Sequence, residues 1–138
     1  MNPDLEKLVE YRLRQARDTL AVAGEVRHNG HFRDAVNRAY YAIFYASLGL
    51  LASKMLGSSK HSGVIGLFGK NFVKTGQFRP ETAKYLREAF DLRQRTDYRE
   101  FVDVTADQTD ELIEHAAAFI TEAEELWTAI KSDSGPSG

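Results

Sequence analysis

Residues 32–54 read FRDAVNRAYYAIFYASLGLLASK. This stretch is apolar on nearly every side of a helix, which indicates a helix buried among others rather than one with a water-facing side. Small residues recur along it at helical spacing and would let a neighbouring helix approach closely. They are Ala35, Ala39, Ala42, Ala46 and Gly49. We therefore expect residues 32–54 to form the central helix of the fold.

The rest of the chain predicts further helices and no strand. A first helix runs from Pro3-Asp4 to about Val26 and ends before a glycine turn, and a short helix spans about 62–73. A fourth helix opens at Pro80, and Thr105-Ala-Asp-Gln108 matches the capping box that begins a fifth. The pattern predicts an all-α fold, an up-and-down bundle of four long helices plus one short helix.

Length and composition narrow the class of protein. With 138 residues and no cysteine, the chain predicts one domain, over 1–131, without disulfides, thiolate zinc or a cysteine nucleophile. Residues 132–138 are expected to be a flexible tail, its last five residues resembling an expression remnant. The acidic start differs from a secretory signal, and the longest apolar run, Ala39–Ala52, is too short to span a membrane. We expect a cytoplasmic protein without membrane contact.

Charge is distributed unevenly along the chain, although its net value is only −2. Residues 54–100 carry ten Lys or Arg against five Asp or Glu, whereas residues 101–138 carry one against nine. The middle stretch could form a basic surface that attracts phosphate-bearing partners. Equally, the two stretches could neutralise each other across a helix interface. The sequence leaves both interpretations open.

Arg93 stands where a helix should be apolar. In the helix over 83–98 the apolar stripe runs through Leu86, Ala89 and Phe90 and then reaches Arg93. A buried charge is costly unless it is paired, and arginines are rarely buried without a partner. Asp97, one turn later, could pair with it internally. The alternative is that Arg93 belongs to a binding site.

Two kinds of site are disfavoured by spacing. Gly63, Gly66 and Gly69 lack both the preceding strand and the Gly-Lys-Ser/Thr ending of a phosphate-cradling loop. Glu25-Val-Arg-His28 is a single Glu-x-x-His element, whereas di-iron bundles need two plus further glutamates, and Glu111 with His115 flanks an apolar stripe. We interpret both pairs as solvated surface residues and expect no metal and no cofactor.

Three blocks of sequence together resemble a known family. Asn37-Arg38 precede the aromatic run 39–46, Lys60-His61-Ser62-Gly63 stands at the start of the short helix, and Leu92–Tyr98 closes the fourth helix. In this order they resemble the HEPN family (higher eukaryotes and prokaryotes nucleotide-binding), in particular its small stand-alone prokaryotic members. The resemblance covers about residues 4–130.

This resemblance implies a helical bundle that usually dimerises, and for many members a metal-independent endoribonuclease of a toxin–antitoxin or defence system. The family signature is Arg, four to six residues, then His. It implies that Arg93 holds the scissile phosphate, while the histidine transfers a proton and the 2′-hydroxyl attacks. Here the three positions that could hold the histidine are Tyr98, Arg99 and Glu100. We therefore expect Arg93 to be a catalytic residue, together with Tyr98, which stands at the first position open to the histidine. His61 could supply an imidazole from another helix.

The resemblance also implies partners: a second copy of the chain, a nucleotide or RNA, and a separately encoded minimal nucleotidyltransferase. Such partners can adenylylate a HEPN tyrosine, for which Tyr98 is the candidate here. Further residues are expected to bind the substrate. They are Arg38, Lys60, His61, Arg95 and Asp97.

Plainer interpretations stand beside these. The aromatic residues 40–45 could stack on bases, but aromatics at helical spacing are more often core. Lys60 and His61 could simply cap a loop, and Arg38 could form a structural ion pair. Two function classes therefore remain: a toxin-like RNA- or nucleotide-binding HEPN protein, and a non-catalytic dimeric bundle that serves as an interaction or docking module for a nucleotidyltransferase.

Overall fold

The protein is all-helical in a computed structural model that describes residues 1–98 and 103–133, with the side chain of Tyr98 not included. The helices are α1 (Pro3–His28), α2 (Phe32–Ser53), α3 (His61–Phe68), α4 (Pro80–Tyr98) and α5 (Ala106–Asp133). A π-helical turn, Gly69–Val73, continues α3. The predicted all-α class is confirmed. None of the described helices is long and apolar enough to cross a membrane.

Helix α2 is the centre of the packing, as its sequence predicts. It contacts α1, α3, α4 and α5, and all five small residues of its ridge are buried. At Gly49 an added Cβ would lie 3.3 Å from Cβ of Arg12 and 3.4 Å from the carbonyl oxygen of Val9. Such a distance is tighter than ordinary van der Waals contact. The absence of a side chain at Gly49 therefore sets how closely α1 can approach α2.

The ends of the helices follow the sequence signals. Thr105 and Gln108 form the predicted capping box, because Thr105 N–H donates to Gln108 Oε1 (3.0 Å) and Gln108 N–H donates to Thr105 Oγ1 (3.1 Å). Gly30 ends the turn after α1 with φ of 83°, in the left-handed region that glycine tolerates best. Helix α1 has Pro3 and Asp4 in its first turn, with Asn2 Oδ1 accepting from Asp4 N–H as its cap, and it ends at His28 rather than at about Val26.

The short helix differs from its prediction in two ways. It starts at His61 rather than Ser62, and its second half is a π-turn instead of α-helix. Nζ of Lys54, just after α2, donates to the carbonyl of Asn71 (2.5 Å) and lies 4.3 Å from the centroid of the Phe72 ring. This contact ties the π-turn to the end of α2.

A cluster of buried phenylalanines seats α3 in the bundle. The ring of Phe68 lies 5.0 Å from Phe78 and 5.5 Å from Phe119 of α5, and Phe78 lies 4.9 Å from Phe119. Aromatic pairs at such distances add about 0.5–1.5 kcal/mol beyond the burial of their area. These contacts therefore hold α3 against the core of the bundle. Lys60 and His61 lie at the start of this helix.

The acidic residues of α5 form ion pairs mainly with α1. Arg17 pairs with Glu124 (2.7 Å) and Arg27 pairs with Asp110 (2.6 Å), so two arginines of α1 meet acidic residues of α5. Within the described part of the chain, the basic stretch contributes one ion pair to α5, Arg79 with Glu122 (2.9 Å). The alternative that the basic stretch neutralises α5 therefore holds for this one pair, while the other ion pairs between α5 and the rest of the described chain are made with α1. Within residues 54–98, the other cations form no ion pair with α5.

Gly63 should resist substitution, whereas Gly66 should not. A Cβ at Gly63 would overlap the Ser58 side chain, lying 2.9 Å from its Cβ, whereas one at Gly66 would meet nothing within 4 Å. We expect Gly63→Ala to lower the free energy of unfolding by about 1–3 kcal/mol through overpacking. Gly66→Ala should leave it unchanged or raise it by up to about 1 kcal/mol, since alanine favours helix. Urea unfolding followed by circular dichroism measures both, and equal effects would contradict the packing described here.

Candidate functional site

A solvent-open pocket of about 600 Å³ lies where α2, the start of α3 and the last turns of α4 meet. We call it the Arg93 pocket. Aromatic, basic and small polar side chains line it together. They are Tyr41, Lys60, His61, Ser62, Phe90, Arg93 and Gln94. Three candidate residues from distant parts of the sequence, Lys60, His61 and Arg93, therefore share one pocket.

The guanidinium of Arg93 lies over two aromatic rings of α2. Its Cζ is 5.2 Å from the ring centroids of both Tyr40 and Tyr41, and its side chain is 16% exposed. A cation at this distance from aromatic faces is stabilised by about 0.5–2 kcal/mol, more when it is desolvated. The rings therefore offset part of the cost of burying the charge and fix the orientation of the guanidinium.

Arg93 also pairs with Asp97, but the pair is incomplete. Nε of Arg93 lies 3.1 Å from Oδ2 of Asp97. The geometry nevertheless falls short of a hydrogen bond, and Nε is buried without a hydrogen-bond partner among the described residues. We treat the contact as a Coulombic attraction only. The two interpretations of Arg93 are thus not exclusive, because Arg93 is ion-paired with Asp97 and also lines the pocket.

Two side chains of α2 hold His61 in place. Its Nδ1 lies 2.7 Å from the hydroxyl of Tyr40, and its ring stacks on Phe44 with centroids 4.3 Å apart. Burial lowers the pKa of His61 below its ordinary value of 6.5, and the positive charge of Arg93 lowers it further. The imidazole is therefore mostly neutral at neutral pH.

Tyr40 remains a neutral phenol. Burial raises its pKa well above the ordinary value of 10.0, which outweighs the opposite effect of Arg93. A protonated hydroxyl can donate to Nδ1 of His61 or accept from Nδ1–H, and the tautomer of the imidazole decides which. In either case Nδ1 is occupied, so Nε2 is the ring nitrogen left for a ligand.

The aromatic run of α2 divides between core and pocket. Tyr40 and Phe44 are buried, as the core interpretation predicts, whereas Tyr41 is half-buried and lines the pocket. Cζ of Arg38 lies 5.7 Å from the Tyr41 ring, and its Nη2 donates to Oδ1 of Asn37 (3.1 Å). Arg38 is therefore next to the pocket through Tyr41 without lining it.

The remaining predicted residues do not all reach the pocket. Arg95 lies on a different face of α4, where it lines a second pocket with residues of α5, among them Gln108 and His115. Two residues along a helix rotate the side chain by about 200°, which separates Arg95 from Arg93. Asp97 is at the pocket only through its contact with Arg93. Tyr98 is the last residue of α4, and its side chain lies outside the described residues.

Several lining residues were not predicted from the sequence. On α4, Phe90 lies one turn before Arg93, and Gln94 lies next to it. Ser62 follows His61. Spacing of i, i+3 and i+4 places Phe90, Arg93 and Gln94 on one helix face, so this signal was present in the sequence. No group of three or more metal-ligating side chains is found within residues 1–98 and 103–133.

Comparison with known proteins connects the whole region to one family. A sequence model described as "HEPN domain" matches residues 9–126. A "UPF0332 protein" of Thermotoga maritima is 39% identical over 126 residues, covering 91% of this chain and 96% of its own length. Two proteins of Methanocaldococcus jannaschii, each named "Putative toxin", are 36% and 35% identical, covering 85% and 95% of this chain and 77% and 92% of their own lengths. The matched region includes every residue of the Arg93 pocket.

The pKa of His61 should respond to Arg93 and not to Arg95. In an NMR titration of the imidazole we expect a pKa below 6.5 in the unchanged protein. Arg93→Gln should raise it part of the way towards 6.5, because the nearby positive charge is gone while the burial remains. Arg95→Gln is the matched control and should leave it unchanged. An equal response to both substitutions would contradict the described proximity of Arg93 to His61.

Proposed function

Because this chain belongs to the HEPN domain family, we propose that it is a toxin-like protein that binds RNA at the Arg93 pocket and cleaves it without a metal ion. In this proposal Arg93 holds the scissile phosphate and the 2′-hydroxyl of the RNA is the nucleophile. The two relatives named "Putative toxin" support the toxin-like assignment.

One observation carries the proposal. Arg93 is preorganised on two aromatic rings and lines an open pocket. Guanidinium groups match phosphate oxygens with two parallel N–H donors, and a prefixed orientation reduces the entropy lost on binding.

The surroundings of Arg93 add to the attraction for a phosphate. Lys60 lines the same pocket and is the N-cap residue of α3, where no side chain caps the helix by a hydrogen bond. The first N–H groups of a helix lack partners within it and favour an anion. Moreover, α5 takes most of its described ion pairs from α1, which leaves the positive charge of the basic stretch available to a polyanion.

We extend the proposal to partners. A second copy of this chain would bring two pockets to a single RNA strand, and a separately encoded nucleotidyltransferase would neutralise the toxin. Modification of Tyr98 by that partner would place an added phosphate on the last residue of α4, one turn beyond Arg93. The added negative charge would weaken the attraction of the basic stretch for RNA.

A second candidate function rests on the position of Tyr98. The place of the signature histidine is taken by a phenol, which is a poor general base at neutral pH. If this change has abolished cleavage, the protein would be a non-catalytic dimeric bundle that docks a nucleotidyltransferase. The two candidates differ in whether the purified protein generates new RNA ends.

Cleavage of RNA by the purified protein tests the proposal. With chelator present, we expect products that end in 2′,3′-cyclic phosphate and 5′-hydroxyl. Arg93→Ala should reduce both the affinity for RNA and the cleavage rate, the latter by about 100-fold, as expected when a charge-stabilising donor is removed.

Arg95→Ala is the matched control, since it removes the same charge from a different face of α4, outside the Arg93 pocket. It should weaken RNA binding only through the general salt-dependent attraction. Equal losses in both variants would refute a phosphate site at Arg93. RNA binding without any cleavage, together with capture of a nucleotidyltransferase, would favour the docking module instead.

A further inference from the structure

We propose that His61 is the catalytic residue that accepts the proton from the 2′-hydroxyl, in the role that the missing signature histidine would otherwise fill. This inference rests on the proposed function, because it needs a phosphodiester bound at Arg93. It assigns the imidazole to a different helix from the arginine, α3 rather than α4.

Position is the first argument. Of the four histidines, all in the described part of the chain, His61 is the one that lines the Arg93 pocket. His28 and His31 are exposed near the turn between α1 and α2, and His115 stacks on Tyr85 with centroids 3.9 Å apart, beside the second pocket. A general base must come within hydrogen-bond reach of the proton that it removes. His61 is the histidine whose location allows this.

The second argument is orientation. The Tyr40 hydroxyl contacts Nδ1, and the stack on Phe44 fixes the plane of the ring. When Nδ1–H donates to the Tyr40 oxygen, Nε2 carries the lone pair and can accept a proton. A partner on one ring nitrogen that sets the function of the other is the usual way in which catalytic imidazoles are held.

The third argument is electrostatic. His61 faces Tyr40, Tyr41 and Phe44 from α2 and Phe90 and Arg93 from α4, while Lys60 precedes it in the chain. The charged groups in this set are cations, and Asp97 is engaged with Arg93. Such surroundings keep the free imidazole unprotonated at neutral pH. A bound phosphate would offset the cations as the imidazole takes up its proton.

The reaction balances without a further reagent. The 2′-hydroxyl gives its proton to Nε2 of His61, and the 2′-oxygen forms a bond to phosphorus while the bond from phosphorus to the 5′-oxygen breaks. The 5′-oxygen leaves with the electron pair and takes a proton from water, and the resulting hydroxide is neutralised by the proton on His61. The products are a 2′,3′-cyclic phosphate and a 5′-hydroxyl. Arg93 compensates the charge on the phosphate oxygens throughout.

The test separates binding from cleavage in His61→Gln. Binding is measured with 2′-O-methyl RNA, which lacks the reacting hydroxyl, and cleavage with the matching unmodified RNA. We expect affinity within about twofold of the unchanged protein and a cleavage rate lower by about 100-fold or more, the range for loss of a general base. The acidic limb of the pH–rate profile, which reports protonation of His61, should disappear. His115→Gln is the control and should alter neither measurement.

His61→Ala with added imidazole covers the case in which the glutamine variant folds poorly. Partial recovery of cleavage by free imidazole supports the assignment, since a purely structural histidine would not be replaced in this way. Cleavage by His61→Gln at the unchanged rate and pH dependence overturns it. If the protein binds RNA in an Arg93-dependent way but never cleaves it, the assignment of His61 is also overturned. The binding site at Arg93 is not affected by that result. Loss of Arg93 dependence would overturn the proposed function itself.

Discussion

The positive charge of Arg93 has to be kept among aromatic side chains, and this constraint organises the end of the bundle where α2, α3 and α4 meet. An isolated buried cation is costly, and the structure compensates it with the faces of Tyr40 and Tyr41 and with the carboxylate of Asp97. None of these three groups gives Nε a hydrogen bond. The charge is thus stabilised and held in place beside the pocket that Arg93 lines.

The rest of the fold keeps this arrangement rigid. Phe68 packs against Phe78 and Phe119 and so seats α3, whose first residue is His61. Lys54 ties the following π-turn to the end of α2. The close approach of α1 at Gly49 holds the other side of α2. Groups that must act together are held best on packed helices, and the side chains of the Arg93 pocket come from three of them.

Local signals in the sequence predicted the helices well, because each depends on residues near one another in the chain. The Thr105–Gln108 capping box and the turn at Gly30 are examples. The π-turn was missed, and one contact on it, from Lys54 to the carbonyl of Asn71, joins residues 17 positions apart. The apolar stripe of α4 singled out Arg93 in the sequence. Its role, as an ion pair or as part of a pocket, depends on the residues that α2 and α3 place around it. The contact of Tyr40 with His61 joins residues 21 positions apart and carries no spacing signal. Arg95, by contrast, could have been separated from Arg93 by helical geometry alone.

The central claim is that the guanidinium of Arg93 binds a phosphate of RNA in the Arg93 pocket. The most direct measurement is the ¹⁵N–¹H resonance of Arg93 Nε, assigned through its loss in Arg93→Lys, during titration with a short 2′-O-methyl RNA. The account predicts that this resonance shifts and saturates together with RNA binding, while the corresponding signal of Arg95 moves little. Saturable RNA binding with the Arg93 resonance unmoved would contradict it.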